Sequence, residues 1–297
     1  MPSKSPIARL KRYLKRRRDR AALAARKRAW RAGQPAVSQS TPVLIVGCQR
    51  SGTTMLGRIL DQMMPVDCFH ETDRAAFGKD MRTLGAAVRR KLVAGSDAQA
   101  VLFKPICDSH LAADMMAEHG DDAKAIWIYR NWRDVTNSNV TIWKGQWKQV
   151  YGDLLAGRDI GWGWRHEGIS DTAMQMLRDT YTDDISERDA ASLKWWVRNA
   201  SYFDQGLHER GDVLPVCYEE LVTEPAAQFG RICRFLGIPF DEEAVATVFD
   251  KSIGKEEAPP EDPSVIAVCD PMYDRLKAAQ AQWDLRFAAP AGGDSPA

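Results

Sequence analysis

The sequence predicts an α/β fold of three layers, a central parallel sheet flanked on both faces by helices. Three observations lead to it. Short continuous apolar runs at residues 43–46, 100–103, 125–129 and 213–218 have the length and unbroken hydrophobicity of strands buried on both sides. Segments with helical spacing of apolar residues lie between them. Strand and helix therefore alternate along the chain, the order that a parallel sheet with helical crossovers requires.

The elements follow in order. Residues 1–37 read as a basic arm, 38–287 as one domain, and the Pro/Gly/Ala-rich residues 288–297 as a disordered tail. In the arm, residues 1–35 carry thirteen Lys/Arg against one acid, Asp19, whereas the remainder carries twenty-eight against thirty-nine. The formal net charge of +1 thus conceals a basic arm on an acidic body. Arg, Ala and Leu favour a helix there, but apolar residues are too few to bury a continuous face, so a solvated or mobile helix is expected. Its cations at 4–31 suit an anionic membrane surface or another polyanion, and no specific nucleic acid is expected; a solubilising tail is the other reading.

After the first strand, residues 53–63 read as a helix, because Met55, Leu56, Ile59, Leu60 and Met63 recur at helical spacing and Pro65 follows. A second strand is expected just before Glu71. Residues 74–93 and 109–118 read as helices, and another opens near Arg133. From 142 to 165 the periodicity fails, and Trp143, Trp147, Trp162 and Trp164 stand among glycines and charges, which reads as an insertion or lid. Residues 187–209 form a long amphipathic helix, and 226–236 a helix stopped by Gly237, with helical pieces and a polar loop beyond Asp241.

The basic stretch is not followed by the apolar segment of about 7–15 residues that marks a secretory signal. No window approaches the ~18 apolar residues of a membrane span. Six scattered cysteines, without a C-x-x-C pair or clustering with the five histidines, predict reduced thiols, no metal site and a cytoplasmic location, with the arm leaving a peripheral membrane association open.

The chemistry begins where the first strand runs into Gly47-Cys48-Gln49-Arg50-Ser51-Gly52-Thr53-Thr54 and then a helix. Gly47, Gly52 and Thr54 keep the spacing of a P-loop, whose backbone N–H groups face phosphates, but Thr53 stands where the lysine belongs. The nearest cation is Arg50. Such a loop suits an anionic nucleotide while lacking the charge that neutralises a triphosphate. A sulfonucleotide, whose sulfuryl group carries less charge and needs no obligatory metal, fits better.

Three segments in the same order resemble those of sulfotransferases that use 3′-phosphoadenosine 5′-phosphosulfate (PAPS), particularly the carbohydrate and tyrosylprotein types. The loop 46–54 resembles the family's 5′-phosphosulfate loop in its R-S-G-T-T form. Ile128-Tyr129-Arg130-Asn131-Trp132-Arg133-Asp134-Val135, with Ser138 beyond, is similar to the 3′-phosphate motif Y-R-N-P-R-D-V, with Trp132 in place of the proline. Cys217-Tyr218-Glu219-Glu220-Leu221-Val222 with Pro225 and Phe235-Leu236-Gly237-Ile238 resembles the Y-E-D-L…P…F-L-G segment. The resemblance spans residues 42 to about 255 and implies a P-loop-type fold with PAPS as co-substrate.

It also implies roles. Gly47, Arg50, Ser51, Gly52, Thr53 and Thr54 would cradle the 5′ group, and Arg130 with Ser138 would clamp the 3′-phosphate. Arg130 and Arg133 pairing with Asp134 or other surface carboxylates is the plain alternative. Glu71 would be the general base, with His70 and His110 as competitors. Lys104 would join Arg50 in holding charge on the sulfuryl group and the leaving phosphate, an ion pair with Asp108 being its other reading. Ser252, Gly254 and Lys255 resemble the C-terminal segment that closes over the nucleotide. The implied reaction is in-line transfer of a sulfuryl group to an acceptor hydroxyl. A saccharide is the leading acceptor, because the tryptophans of 143–164 could stack on sugar rings, although tryptophans in a loop more often anchor it to the core; a phenol or another small alcohol is the alternative acceptor. A P-loop kinase or NTPase is the rival enzyme class.

Overall fold

Five strands, β1 (Thr41–Gly47), β2 (Val66–Phe69), β3 (Ala100–Phe103), β4 (Lys124–Tyr129) and β5 (Val213–Cys217), pair in parallel in the order β2-β3-β1-β4-β5. The computed structural model describes residues 6–143, 145–158, 161, 163–246 and 261–287. The helices are α1 (Pro6–Arg31), α2 (Thr53–Leu60), α3 (Ala86–Ala94), α4 (Ala112–Ala117), α5 (Trp132–Trp143), α6 (Gln146–Leu155), α7 (Asp171–Thr180), α8 (Glu187–Asp204), α9 (Tyr218–Thr223), α10 (Pro225–Leu236), α11 (Glu242–Val245) and α12 (Pro263–Phe287).

Successive residues of a strand point to opposite faces, so each strand feeds two cores. Val43 and Ile45 of β1 join α2, α9 and α10 in one, and Leu44 and Val46 join α5, α6, α8 and α12 in the other. This gives three layers. Register fixes what meets at the carboxyl edge. Phe69 lies opposite Phe103, Leu44 opposite Phe103, Gly47 opposite Ile128 and Tyr129 opposite Cys217. The segments after β2, β3, β1 and β4 therefore emerge side by side, where ligands of open parallel sheets bind.

Three expectations change. The helix foreseen over 74–93 is confined to α3. Ahead of it, Phe77 bridges Thr83, and Asp108 takes both the Thr83 N–H (2.9 Å) and the Arg82 guanidinium (2.6 Å), which holds this stretch as a loop. The helix foreseen to 209 ends at Asp204, and Gly206 follows at φ +66°, a left-handed turn that a helix cannot include. The stretch foreseen as a lid contains α6, with Trp147, Tyr151 and Trp164 buried and the Trp147 and Trp164 rings edge to face at 6.1 Å. Their clustering marks a packing seam against α8.

The last turns of α1 are fastened to the body. Lys27, buried, donates to Asp61 (3.0 Å) and to the Val66 carbonyl, and Arg31 bonds Asp67 (2.9 Å) and Asp97 (2.7 Å). Arg20 reaches Asp73 from the same side of the helix, one face at positions 20, 27 and 31. All six cysteines are free and buried. Among the described residues no helix is long and apolar enough to cross a membrane.

Candidate functional site

β1 ends at Gly47, still paired with β4 opposite Ile128. A Cβ on Gly47 would lie 2.3 Å from the Ile128 carbonyl oxygen, and its φ of +131° already excludes most side chains. The residue is a close-approach glycine whose N–H donates to Ser109 Oγ at 3.1 Å. Gly52, at φ +94°, caps α2, and a Cβ there would strike the Tyr218 ring at 2.2 Å. The first N–H groups of α2 have no partner within their own helix and carry its positive dipole end. Ser51 is fully buried, and its hydroxyl has no hydrogen-bond partner among the described residues.

Arg50 adopts φ +78°, a left-handed conformation that costs a non-glycine residue about 1–2 kcal/mol. Its Nε donates to Ser138 Oγ at 2.7 Å, which fastens the loop to α5. Arg130, leaving the end of β4, turns its guanidinium over the Tyr218 ring (4.4 Å) and bonds Asp134 Oδ2 (3.1 Å). Arg50, Gly52, Thr53, Thr54, Arg130 and Ser138 all line one open cavity of about 360 Å3. Burial lowers Arg50 from the usual arginine value, and the nearby positive charge of Arg130 lowers it further. Two guanidiniums that repel one another across a cavity beside a helix N-terminus make an anion site. The carboxylate foreseen as the plain partner of Arg130 does pair with it, yet the guanidinium still lines the cavity. Arg133 instead pairs with Asp270 (2.9 Å).

The Trp132 departure has a local compensation. Asn131 Oδ1 accepts the Arg133 N–H at 2.9 Å and so opens α5 in place of a proline, while the Trp132 ring is buried with its Nε1 on Asp270 (2.8 Å).

Glu71 and Lys104 meet as a direct consequence of register. Lys104 N donates to the Phe69 carbonyl at 3.1 Å, so the residues after β2 and β3 are neighbours, and Lys104 Nζ forms an ion pair with Glu71. The same ammonium donates to Thr54 Oγ1 at 3.2 Å. Neither Glu71 nor Lys104 lines the anion cavity itself; Thr54, which does, connects them to it. Asp108, the other partner foreseen for Lys104, is taken by Arg82.

His70 packs beside Asp61 (3.9 Å) under Gly57, and His110 lies buried against Gly168 with Glu167 at 3.5 Å; burial lowers the pKa of both. Neither lines the cavity. Ser252, Gly254 and Lys255 lie outside the described residues.

Sequence reasoning missed Asn137 and Thr141, which line the cavity with Asp134 and Ser138 from one face of α5, and the place of Tyr218 in its lining. Helical spacing from Arg130 onwards carried the signal for the first two.

The family described as "Sulfotransferase domain" matches residues 40–256. The fold is similar to a sulfotransferase from Alicyclobacillus acidocaldarius (19% identity over 83% of this chain and 99% of that one, TM-score 0.45) and to the sulfotransferase STF9 from Mycobacterium avium (13%, 92% and 83%, TM-score 0.42). It is also similar to a mouse sulfotransferase, SULT7A1, complexed with PAP (13%, 83% and 82%, TM-score 0.40). No curated protein matches the chain. With a family match over most of its length, the chain belongs to the sulfotransferase family.

Proposed function

We propose that this enzyme transfers the sulfuryl group of PAPS to a saccharide hydroxyl with Glu71 as general base. The observation that carries the reading is Lys104, whose ammonium touches both Glu71 and Thr54 and so links a carboxylate to the phosphate loop. The loop from Gly47 to Thr54 would cradle the 5′ group, and Arg130 with Ser138 would take the 3′-phosphate. In the reaction the acceptor proton passes to the Glu71 carboxylate as the acceptor oxygen bonds to sulfur. The bond between sulfur and the 5′-phosphate oxygen breaks, and its electron pair leaves with adenosine 3′,5′-bisphosphate, whose charge Arg50 and Lys104 offset.

Support for the saccharide is narrower than the tryptophan count suggests. Trp147 and Trp164 are buried, and Trp162 lies outside the described residues, which leaves half-buried Trp143 at the end of α5. The buried free thiols support a cytoplasmic location. The exposed Lys15, Arg18, Arg26 and Arg28 of α1 support contact with an anionic membrane surface.

The test is transfer of labelled sulfate from PAPS to a panel of saccharides, phenols and aliphatic alcohols, run with the wild type and Glu71→Gln. The expected result is saccharide labelling that falls about 10²–10⁴-fold in the variant while nucleotide affinity holds. Near-normal turnover in the variant removes Glu71 as the base, and labelling confined to phenols removes the saccharide.

A further inference from the structure

Helix α8 carries two cations that the chemistry above does not use. Lys194 is 0% exposed and Arg198 4% exposed, one turn apart on one face. Lys194 Nζ lies under the phosphate loop, donating to Cys48 Sγ at 3.2 Å and to the Gln49 carbonyl at 3.4 Å, with the Trp143 and Trp147 rings at 5.7 and 5.5 Å. Arg198 donates to the Trp164 carbonyl at 2.8 Å and stacks on that ring at 4.7 Å. Among the described residues neither forms an ion pair with a carboxylate.

Such an arrangement is costly. A buried charge without a counter-ion is strongly penalised, and ring faces and a carbonyl offset only part of that penalty. Buried lysines elsewhere in this fold are paired: Lys27 with Asp61 and Lys104 with Glu71. Lys104 and Lys194 both touch the loop in which Thr53 stands in place of the P-loop lysine, but only Lys104 brings a carboxylate with it. Burial lowers the Lys194 pKa most, its contact with Cys48 partly offsets this, and the positive charges of Arg198 and Arg50 lower it further.

We infer that Lys194, supported by Arg198, is a positioning residue for the donor: a charge stored beneath the loop whose counter-ion is the bound phosphosulfate. It acts through the Cys48 thiol and the Gln49 carbonyl without lining the cavity itself, and restores part of the charge that Thr53 does not supply. The inference rests on the reading of the loop as the donor site.

The experiment measures two quantities on Lys194→Met and Lys194→Gln: Tm without nucleotide, and Kd for adenosine 3′,5′-bisphosphate by calorimetry. Methionine keeps the unbranched shape and removes the charge, so Tm is expected to rise by about 2 °C or more while Kd weakens about tenfold. Glutamine keeps a donor for the Gln49 carbonyl without the charge and should lose the same affinity. An unchanged Kd in Lys194→Met, a wild-type Kd in Lys194→Gln, or a lower Tm in the methionine variant, loss of folding included, each overturns the inference, since a packing lysine predicts a stability loss. Failure of the wild type to bind the bisphosphate would instead sink the donor-site reading, and the inference with it.

Discussion

Arg50 Nε and Ser138 Oγ lie 2.7 Å apart, so a strained residue of the loop after β1 and a hydroxyl on α5, 88 positions away in the chain, line the same cavity. The bond offers a reason for the left-handed backbone at Arg50: the conformation aims the guanidinium across the cavity, and the hydrogen bond keeps it there. Ser138→Ala should weaken adenosine 3′,5′-bisphosphate binding by about 1 kcal/mol, roughly fivefold, the typical net value of one hydrogen bond. Calorimetry on the two proteins decides it, and equal affinities would mean that Arg50 is positioned by the loop alone.

Arg130 is held by Asp134 and by the face of Tyr218, which leaves its planar fork at a fixed tilt over the cavity. Arg130→Lys keeps the charge and loses the fork, and should weaken bisphosphate binding about 10–100-fold with a much smaller effect on Tm. A lysine variant that binds like wild type would show that only net charge matters here.

The two loop glycines should differ in what they cost. Gly47→Ala drives a Cβ against backbone, the Ile128 carbonyl oxygen at 2.3 Å, and should destabilise the protein by about 3 kcal/mol or more because β1 and β4 must separate. Gly52→Ala meets the Tyr218 ring at 2.2 Å, a side chain that can swing aside; it should cost about 1–3 kcal/mol and act mainly on nucleotide binding by displacing the ring under Arg130. Thermal denaturation with and without the bisphosphate separates the two, and a larger Tm loss for Gly52→Ala would reverse the assignment.

Docking of the arm should be acid-sensitive. Burial alone would raise the Asp67 carboxyl, but hydrogen bonds from Arg31 and Ser96 and the charges of Arg31 and Lys27 outweigh it and hold the group below its usual value. A depressed folded-state pKa contributes stability above the unfolded value of about 4, and that contribution is lost as pH falls through the folded one. Protease cleavage within α1 should accordingly increase below about pH 4, and Arg31→Ala should bring the same susceptibility to neutral pH. Equal cleavage of both proteins at pH 7 would show that the arm is held by other contacts.

Much of this was legible in the chain. The loop could be read because its chemistry is local: an apolar strand, glycines at fixed spacing and a helix are consecutive, and each is dictated by backbone sterics and burial. Arg130 could be read for the same reason. Trp147 and Trp164 left two readings open, because a tryptophan among glycines and charges looks the same whether its ring faces a ligand or anchors a seam, and burial decided for the anchor. Residues 74–93 were misjudged because Asp108, which holds Arg82 and Thr83 in a loop, is remote in sequence.

The sequence by itself determined the three-layer class, the position of the glycine loop between β1 and α2 and the cations that follow β1, β3 and β4, since periodicity and turn residues act within a few positions of where they are written. Only the tertiary structure decided partners. That Lys104 takes Glu71 rather than Asp108, that Arg50 is tied to Ser138, and that Lys194 comes to lie beneath the loop all depend on strand order and on the register of Phe69 with Phe103 and of Gly47 with Ile128. The physical reason is that a charge or donor chooses its partner by distance, and in a sheet ordered β2-β3-β1-β4-β5 distance is set by which strands are neighbours, not by separation along the chain.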